Sequence, residues 1–149
     1  MIFADLPPQY QERIVCSVMA SITYDVPANI VLAVAELENG KPGMYRPNAN
    51  GTQDVGVMQM NTQYLADLSG YGITANDVAD SGCYPYILAT WRLRQHIVHD
   101  KGDLWMKAAN YHSRTPEYNS IYRTKLKNAA GQWTEWLRKN LRTKIVSSR

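Results

Sequence analysis

The stretch Ile30-Val31-Leu32-Ala33-Val34-Ala35-Glu36-Leu37-Glu38-Asn39-Gly40 constrains this chain more than any other. It is an apolar run at helical spacing that ends on a carboxylate and is stopped by glycine. Ile30, Val31, Val34 and Leu37 predict a buried stripe. At about 100° per residue, Glu36 and Glu38 point to nearly opposite sides. Glu36 reads as a solvated surface charge. Glu38, one turn on from Val34, lies at the edge of the stripe. There a partly apolar setting and the C-terminal end of the helix dipole both disfavour the charged form, which is the condition under which a glutamic acid serves as a general acid. The alternative is a helix-end Glu that snorkels to water.

Residues 40–54 (GKPGMYRPNANGTQD) are rich in glycine and proline, with Asn50-Gly51 at their centre, so they predict a loop of turns. Gly56-Val57-Met58-Gln59 follows, and Asn110-Tyr111-His112 comes later. This order of a helix-end Glu, a turn-rich loop, a Gly-Leu-Met-Gln segment and an Ala-Tyr-Asn segment resembles the lysozyme-like lytic transglycosylases over roughly residues 27–122. Glu38-Asn39-Gly40 and the run at 111–116 (YHSRTP) look most like the small members that accompany conjugation, type IV secretion or type IV pilus machines. Asn39 stands where most of the family has serine, Val57 where it has leucine, and His112 where it has asparagine. Asn39 keeps a hydrogen-bonding side chain, whereas His112 places an ionisable group near the acid.

The resemblance implies a mainly α-helical, α+β lysozyme-like fold: a single helical domain over residues 1–149, a two-sided cleft, and at most a small β-hairpin within 44–55. It implies an enzyme that cleaves the MurNAc-GlcNAc bond of peptidoglycan without water, leaving 1,6-anhydroMurNAc ends. Glu38 would be the catalytic acid and then base, and no cofactor or metal would take part. Gln59, Tyr111, Asn39, Met58, His112 and Tyr122 would contact substrate, with the Tyr111 hydroxyl placed to orient Glu38 and Met58 also suited to core filling. The expected partners are glycan strands and subunits of a secretion or pilus machine, with no nucleic acid, for a periplasmic monomer. Two other readings stay open. Asp54, read as a turn or cap residue, would make the protein a hydrolytic lysozyme if it lay across the cleft. A non-catalytic, glycan-binding assembly factor would keep the fold without needing Glu38.

Elsewhere Pro7-Pro8 opens a helix to about Tyr24, with Ile14, Val15, Val18, Met19 and Ile22 as its apolar face. Thr62 and Thr74 read as caps of short helices, the first ended by Gly70 or Gly72. Cys83-Tyr84-Pro85 leads a helix that runs to about Gly102. His96 and His99 read as surface histidines for want of a third metal ligand. Asp103 caps residues 104–111, and Thr115-Pro116 starts a last long helix, with a break expected at Gly131. Residues 138–149 are basic and weakly patterned, and are expected to be a flexible tail or a partner contact.

The two cysteines, Cys16 and Cys83, suit either one disulfide in an exported protein or two buried thiols in a cytosolic one. The family resemblance favours the bridge. Only Ile2-Phe3-Ala4 separates Met1 from a polar stretch, which is no full signal peptide; a matured chain and one never exported both fit. The net charge of +3 favours an anionic polymer such as peptidoglycan, although ordinary solubility charge accounts for it equally well. There is no phosphate-binding glycine loop, no nucleophile elbow and no apolar run of the ~20 residues that span a bilayer.

Overall fold

Two prolines fix the entry to the first helix: Pro7 precedes it and Pro8 occupies its first turn, where the missing N–H costs nothing. The computed structural model describes residues 3–141 and 145–147. Helix α1 (Pro8–Tyr24) ends on Asp25 in the left-handed conformation, and Pro27 starts α2 (Ala28–Glu38). Three short strands follow, β1 (Tyr45–Pro47), β2 (Gln53–Val55) and β3 (Met60–Asn61). Then come α3 (Thr62–Asp67), α4 (Ala75–Ala79), α5 (Tyr84–His99), α6 (Leu104–Ala109) and α7 (Pro116–Asn140). The result is a mainly α, lysozyme-like fold with one small antiparallel sheet in the order β1-β2-β3.

The expected stripe on α2 is too narrow a reading. Every residue from Ala28 to Val34 is at most 1% exposed, because α1 and α7 pack on different sides of the helix. A helix apolar all round belongs inside. Its one buried polar side chain is satisfied: Asn29 Nδ2 donates to Thr134 Oγ1 (3.1 Å) and to the Val146 carbonyl (2.7 Å), and its Oδ1 accepts from Val146 N–H (3.1 Å). These bonds dock residues 145–147 on the core, where the sequence predicts a flexible tail, with Ile145 packed beside Ile14, Leu32 and Leu137. The remainder of that tail, residues 142–144 and 148–149, lies outside the described residues.

On α1 the predicted apolar face is largely turned outward. Val15, Met19 and Ile22 are exposed, while Cys16, Ser17, Ala20 and Ser21 are buried. Small side chains let α1 come close to α2 and α5, and that closeness brings Cys16 to Cys83 at the start of α5. The two form a disulfide with Cα atoms 4.9 Å apart.

Several local expectations are met and several are moved. The hairpin lies at 45–55 with Arg46 opposite Asp54, and β3 adds a third strand that sets Asn61 opposite Asp54. Asp54 is thus a strand residue, not a turn or cap. Asn61, not Thr62, caps α3, accepting from the Gln63 N–H (3.0 Å). Thr62 instead accepts from the Gln53 N–H (3.1 Å) and closes the sheet onto the helix. Thr74 does cap α4, in a reciprocal box with Asp77. Helix α5 stops at His99, and α7 runs through Gly131 without a break.

His96 is not a surface residue. It is buried on α5 with its Nδ1 2.6 Å from Asp100, which also accepts from Asn110 (2.8 Å) and pairs with Arg114 (3.2 Å). Burial holds the His96 pKa below its usual value, against the pull of Asp100.

Candidate functional site

The last residue of α2 is Glu38, and the chain turns sharply immediately after it. Asn39 takes the left-handed conformation (φ 47°) and Gly40 N–H then bonds to the Val57 carbonyl (3.1 Å). A Cβ on Gly40 would overlap the Gly56 carbonyl oxygen, and one on Gly56 would overlap the Val78 carbonyl oxygen. The helix end, the segment 56–59 and α4 therefore stack backbone on backbone. The Gly-Val-Met-Gln turn is tight, with Gln59 also at positive φ (52°), an uncommon state for a residue with a side chain. Gln59 is 7% exposed and donates its amide to Gly56 O (2.9 Å), while its Oε1 has no partner among the described residues.

The Glu38 carboxylate is 10% exposed and gripped from one side. Tyr122, on α7, donates its hydroxyl to Oε2 at 2.7 Å. His112 Nδ1 stands 3.8 Å from the same oxygen, an ion-pair distance rather than a hydrogen bond. The half-exposed imidazole lies flat on the Tyr122 ring, with centroids 4.5 Å apart and planes 5° from parallel. Oε1 has no hydrogen-bond partner among the described residues. Contact with Glu38 raises the His112 pKa above its ordinary value, although partial burial opposes it. Burial, reinforced by the Glu38 charge and the hydrogen bond to it, drives the Tyr122 pKa far up, so this phenol stays a donor.

Tyr111 does not orient Glu38. Its buried hydroxyl donates to the Met58 carbonyl (2.8 Å) and so ties segment 110–112 to the glutamine turn. The tyrosine on the acid is Tyr122. Met58 is wholly buried, so it supports the wall from within and offers the site only its carbonyl. Asn39 is exposed and its Oδ1 faces Arg13 at 3.5 Å. Glu36, on the far side of α2, is exposed and accepts from Trp133 Nε1 (3.2 Å). Asp54 on β2 accepts from Asn61 (3.1 Å), and its charge helps raise the pKa values of both His112 and Tyr111.

One residue of this arrangement has no sequence signal. The Arg92 guanidinium on α5 stacks over the rings of Tyr64 (4.2 Å) and Tyr111 (4.6 Å) and so steadies Tyr111. An arginine within a helix gives no hint of aromatic partners 28 residues before it and 19 after it. Chemically, the assembly offers one nearly enclosed carboxylate with one oxygen held and one open, and an imidazole beside it. That is the equipment of a proton shuttle.

No family model matches the chain. It is 24% identical over 109 residues to the protein named Invasion protein IagB of Salmonella typhimurium (strains SL1344 and LT2) and of Salmonella typhi. The similarity covers 72% of this chain and 68% of those proteins.

Proposed function

We propose that the chain is a peptidoglycan lytic transglycosylase whose acid and base are the same residue, Glu38. The reading rests on one observation: Tyr122 fixes Oε2 of a nearly buried carboxylate and leaves Oε1 open. Protonated on that open oxygen, Glu38 delivers its proton to the glycosidic oxygen between MurNAc and GlcNAc as the bond breaks. The acetamido group of the substrate supports the oxocarbenium-like centre, so no second carboxylate is required. Glu38, now a carboxylate, takes the proton of the muramyl C6 hydroxyl, and the C6 oxygen closes the 1,6-anhydro ring. No water is consumed, and the acid returns to its starting form. A carboxylate held by a short hydrogen bond at the end of a largely buried helix suits such proton transfers, which tolerate little misplacement.

The Cys16–Cys83 disulfide supports an oxidising compartment, the periplasm, as the place of action. No helix among the described residues is long and apolar enough to cross a membrane. Similarity to proteins named for invasion agrees with local opening of the wall for a secretion, conjugation or pilus machine.

The position of Asp54 favours a second reading. Its charge reaches His112 and Tyr111, and a carboxylate across the cleft from Glu38 would activate water and make the reaction hydrolytic. Mass spectrometry of the products released from purified peptidoglycan separates the readings. The wild type is expected to give anhydro ends and Glu38→Gln none. Reducing ends would assign hydrolysis, with Asp54 as the residue to replace next. A Glu38→Gln variant that still opened wall would overturn the role of the acid.

A further inference from the structure

Between the turn Phe3–Asp5, helix α1 and the end of α7 lies a hollow of about 420 Å³, lined by Phe3, Val15, Val18, Met19, Trp136 and Leu141. Its one polar lining residue, Asn140, donates its amide to the Trp136 carbonyl (2.8 Å). Ile22 carries the apolar surface one helical turn beyond Val18 and Met19. Val15, Met19 and Ile22 are 44%, 57% and 70% exposed, and residues 14–24 contain no charged side chain. Single apolar residues on a surface are ordinary, but three on one helix face beside an apolar hollow form a patch. None of them belongs to the Glu38 site. The charge beside the patch is mostly of one sign. Residues 138–149 carry Arg138, Lys139, Arg142, Lys144 and Arg149 and no acidic side chain. This end of the chain is held against α1, since Leu141 lines the hollow and Ile145 packs in the cluster of Ile14. Against the cations stand Asp5 and Glu135, the latter paired with Arg138 (3.6 Å), while exposed Lys139 has no ion pair among the described residues.

We infer that this face seats on an anionic lipid surface: Met19 and Ile22 enter the boundary between headgroups and acyl chains, and the cations of 138–149 meet the lipid phosphates. Charge complementarity selects this occupant. A protein segment brings backbone groups that need partners and charges of both signs, and the hollow offers it a single amide already engaged. A lipid leaflet presents phosphates of one sign above hydrocarbon, which matches both halves of the face. Trp136, with an apolar body and one polar N–H, is the kind of side chain that settles at such a boundary. The contact would keep the protein at the membrane side of the wall with no helix crossing the bilayer. It does not depend on the reaction at Glu38.

The test is flotation of the full chain with vesicles of phosphatidylcholine alone and of equal parts phosphatidylcholine and phosphatidylglycerol. The wild type is expected to float with the mixed vesicles and about tenfold more weakly with phosphatidylcholine or in high salt. Two double variants separate the halves of the face. Met19→Gln with Ile22→Gln removes apolar contact without adding charge, and Lys139→Gln with Arg142→Gln removes two cations; each is expected to weaken flotation about tenfold. Absence of flotation with the mixed vesicles, equal flotation with phosphatidylcholine alone, or wild-type flotation by either double variant would overturn the inference. Light scattering covers the other occupant: a wild-type dimer that Met19→Gln with Ile22→Gln turns into a monomer would give the face to a second copy of the chain and overturn the lipid assignment. Circular dichroism checks the fold of each variant, and should the α1 pair disturb its helix, the cation pair decides alone. Glu38→Gln is expected to float as the wild type does, so failure of the transglycosylase reading leaves this result standing.

Discussion

The Cys16–Cys83 bridge joins residues 67 positions apart, enough of the chain to make its contribution to stability calculable. In the loop-closure treatment the unfolded chain loses about 15 cal/mol/K when a loop of that length is tied, or ~4 kcal/mol at 25 °C. That is a large share of the roughly 5–15 kcal/mol that separates folded from unfolded domains. Reduction is therefore expected to cost ~4 kcal/mol. Urea unfolding of the wild type with and without reductant isolates the cross-link, since both states carry the same side chains. The slope against urea should also rise on reduction, because an untethered unfolded chain exposes more surface. The double variant Cys16→Ala, Cys83→Ala should lose at least as much, since Cys16 is buried and its sulfur leaves a gap. A loss under about 1 kcal/mol with an unchanged slope would refute the reasoning and mean that the unfolded chain already keeps residues 16 and 83 close.

Tyr122→Phe removes the 2.7 Å bond to Glu38 and leaves the ring stack in place; about 1–3 kcal/mol of stability should go, with a fall in kcat larger than any change in KM. Gly40→Ala drives a methyl into the Gly56 carbonyl, a backbone atom that cannot swing aside, and should destabilise by about 2 kcal/mol or more in the same urea assay, whereas Gly70→Ala, with open space around it, should not. The folded-state pKa of His112 is raised, so its stabilisation is complete below the unfolded value of about 6.5 and fades as pH rises through the folded value. His112 is half-exposed, so the pH-dependent part should be under about 1 kcal/mol. Stability curves of wild type and His112→Asn should converge as pH rises, and a gap that widened instead would contradict the assignment.

How much of this was legible in the sequence depended on distance along the chain. Pro8, Thr74, Asp103 and the helix end that carries Glu38 are local chemistry, and each stands where spacing and capping rules put it. Periodicity marked the stripes of α1 but not which one faces inward, because small residues can win the inside when a neighbour must come very close. His96 and Asp100 are spaced one helical turn apart, yet nothing local said that the pair would be buried under Arg114. Glu38 could be singled out from its own helix. The sequence marks Tyr122, 84 residues away, as a substrate contact and points to Tyr111 as the tyrosine that orients Glu38, whereas the bond belongs to Tyr122. Tyr111 opens the loop between α6 and α7 and Tyr122 follows it, and only packing decides that Tyr122 reaches the carboxylate and Tyr111 a carbonyl.

Because residues 28–35 of α2 are buried, their amides are expected to exchange hydrogen with water only when the domain opens, whereas β1, exposed along its length, is expected to exchange sooner. The acid is thus fastened to the slowest-opening part of the molecule, and β1 belongs to a faster one. A carboxylate seated in this way keeps its place while the more exposed parts of the chain open and close.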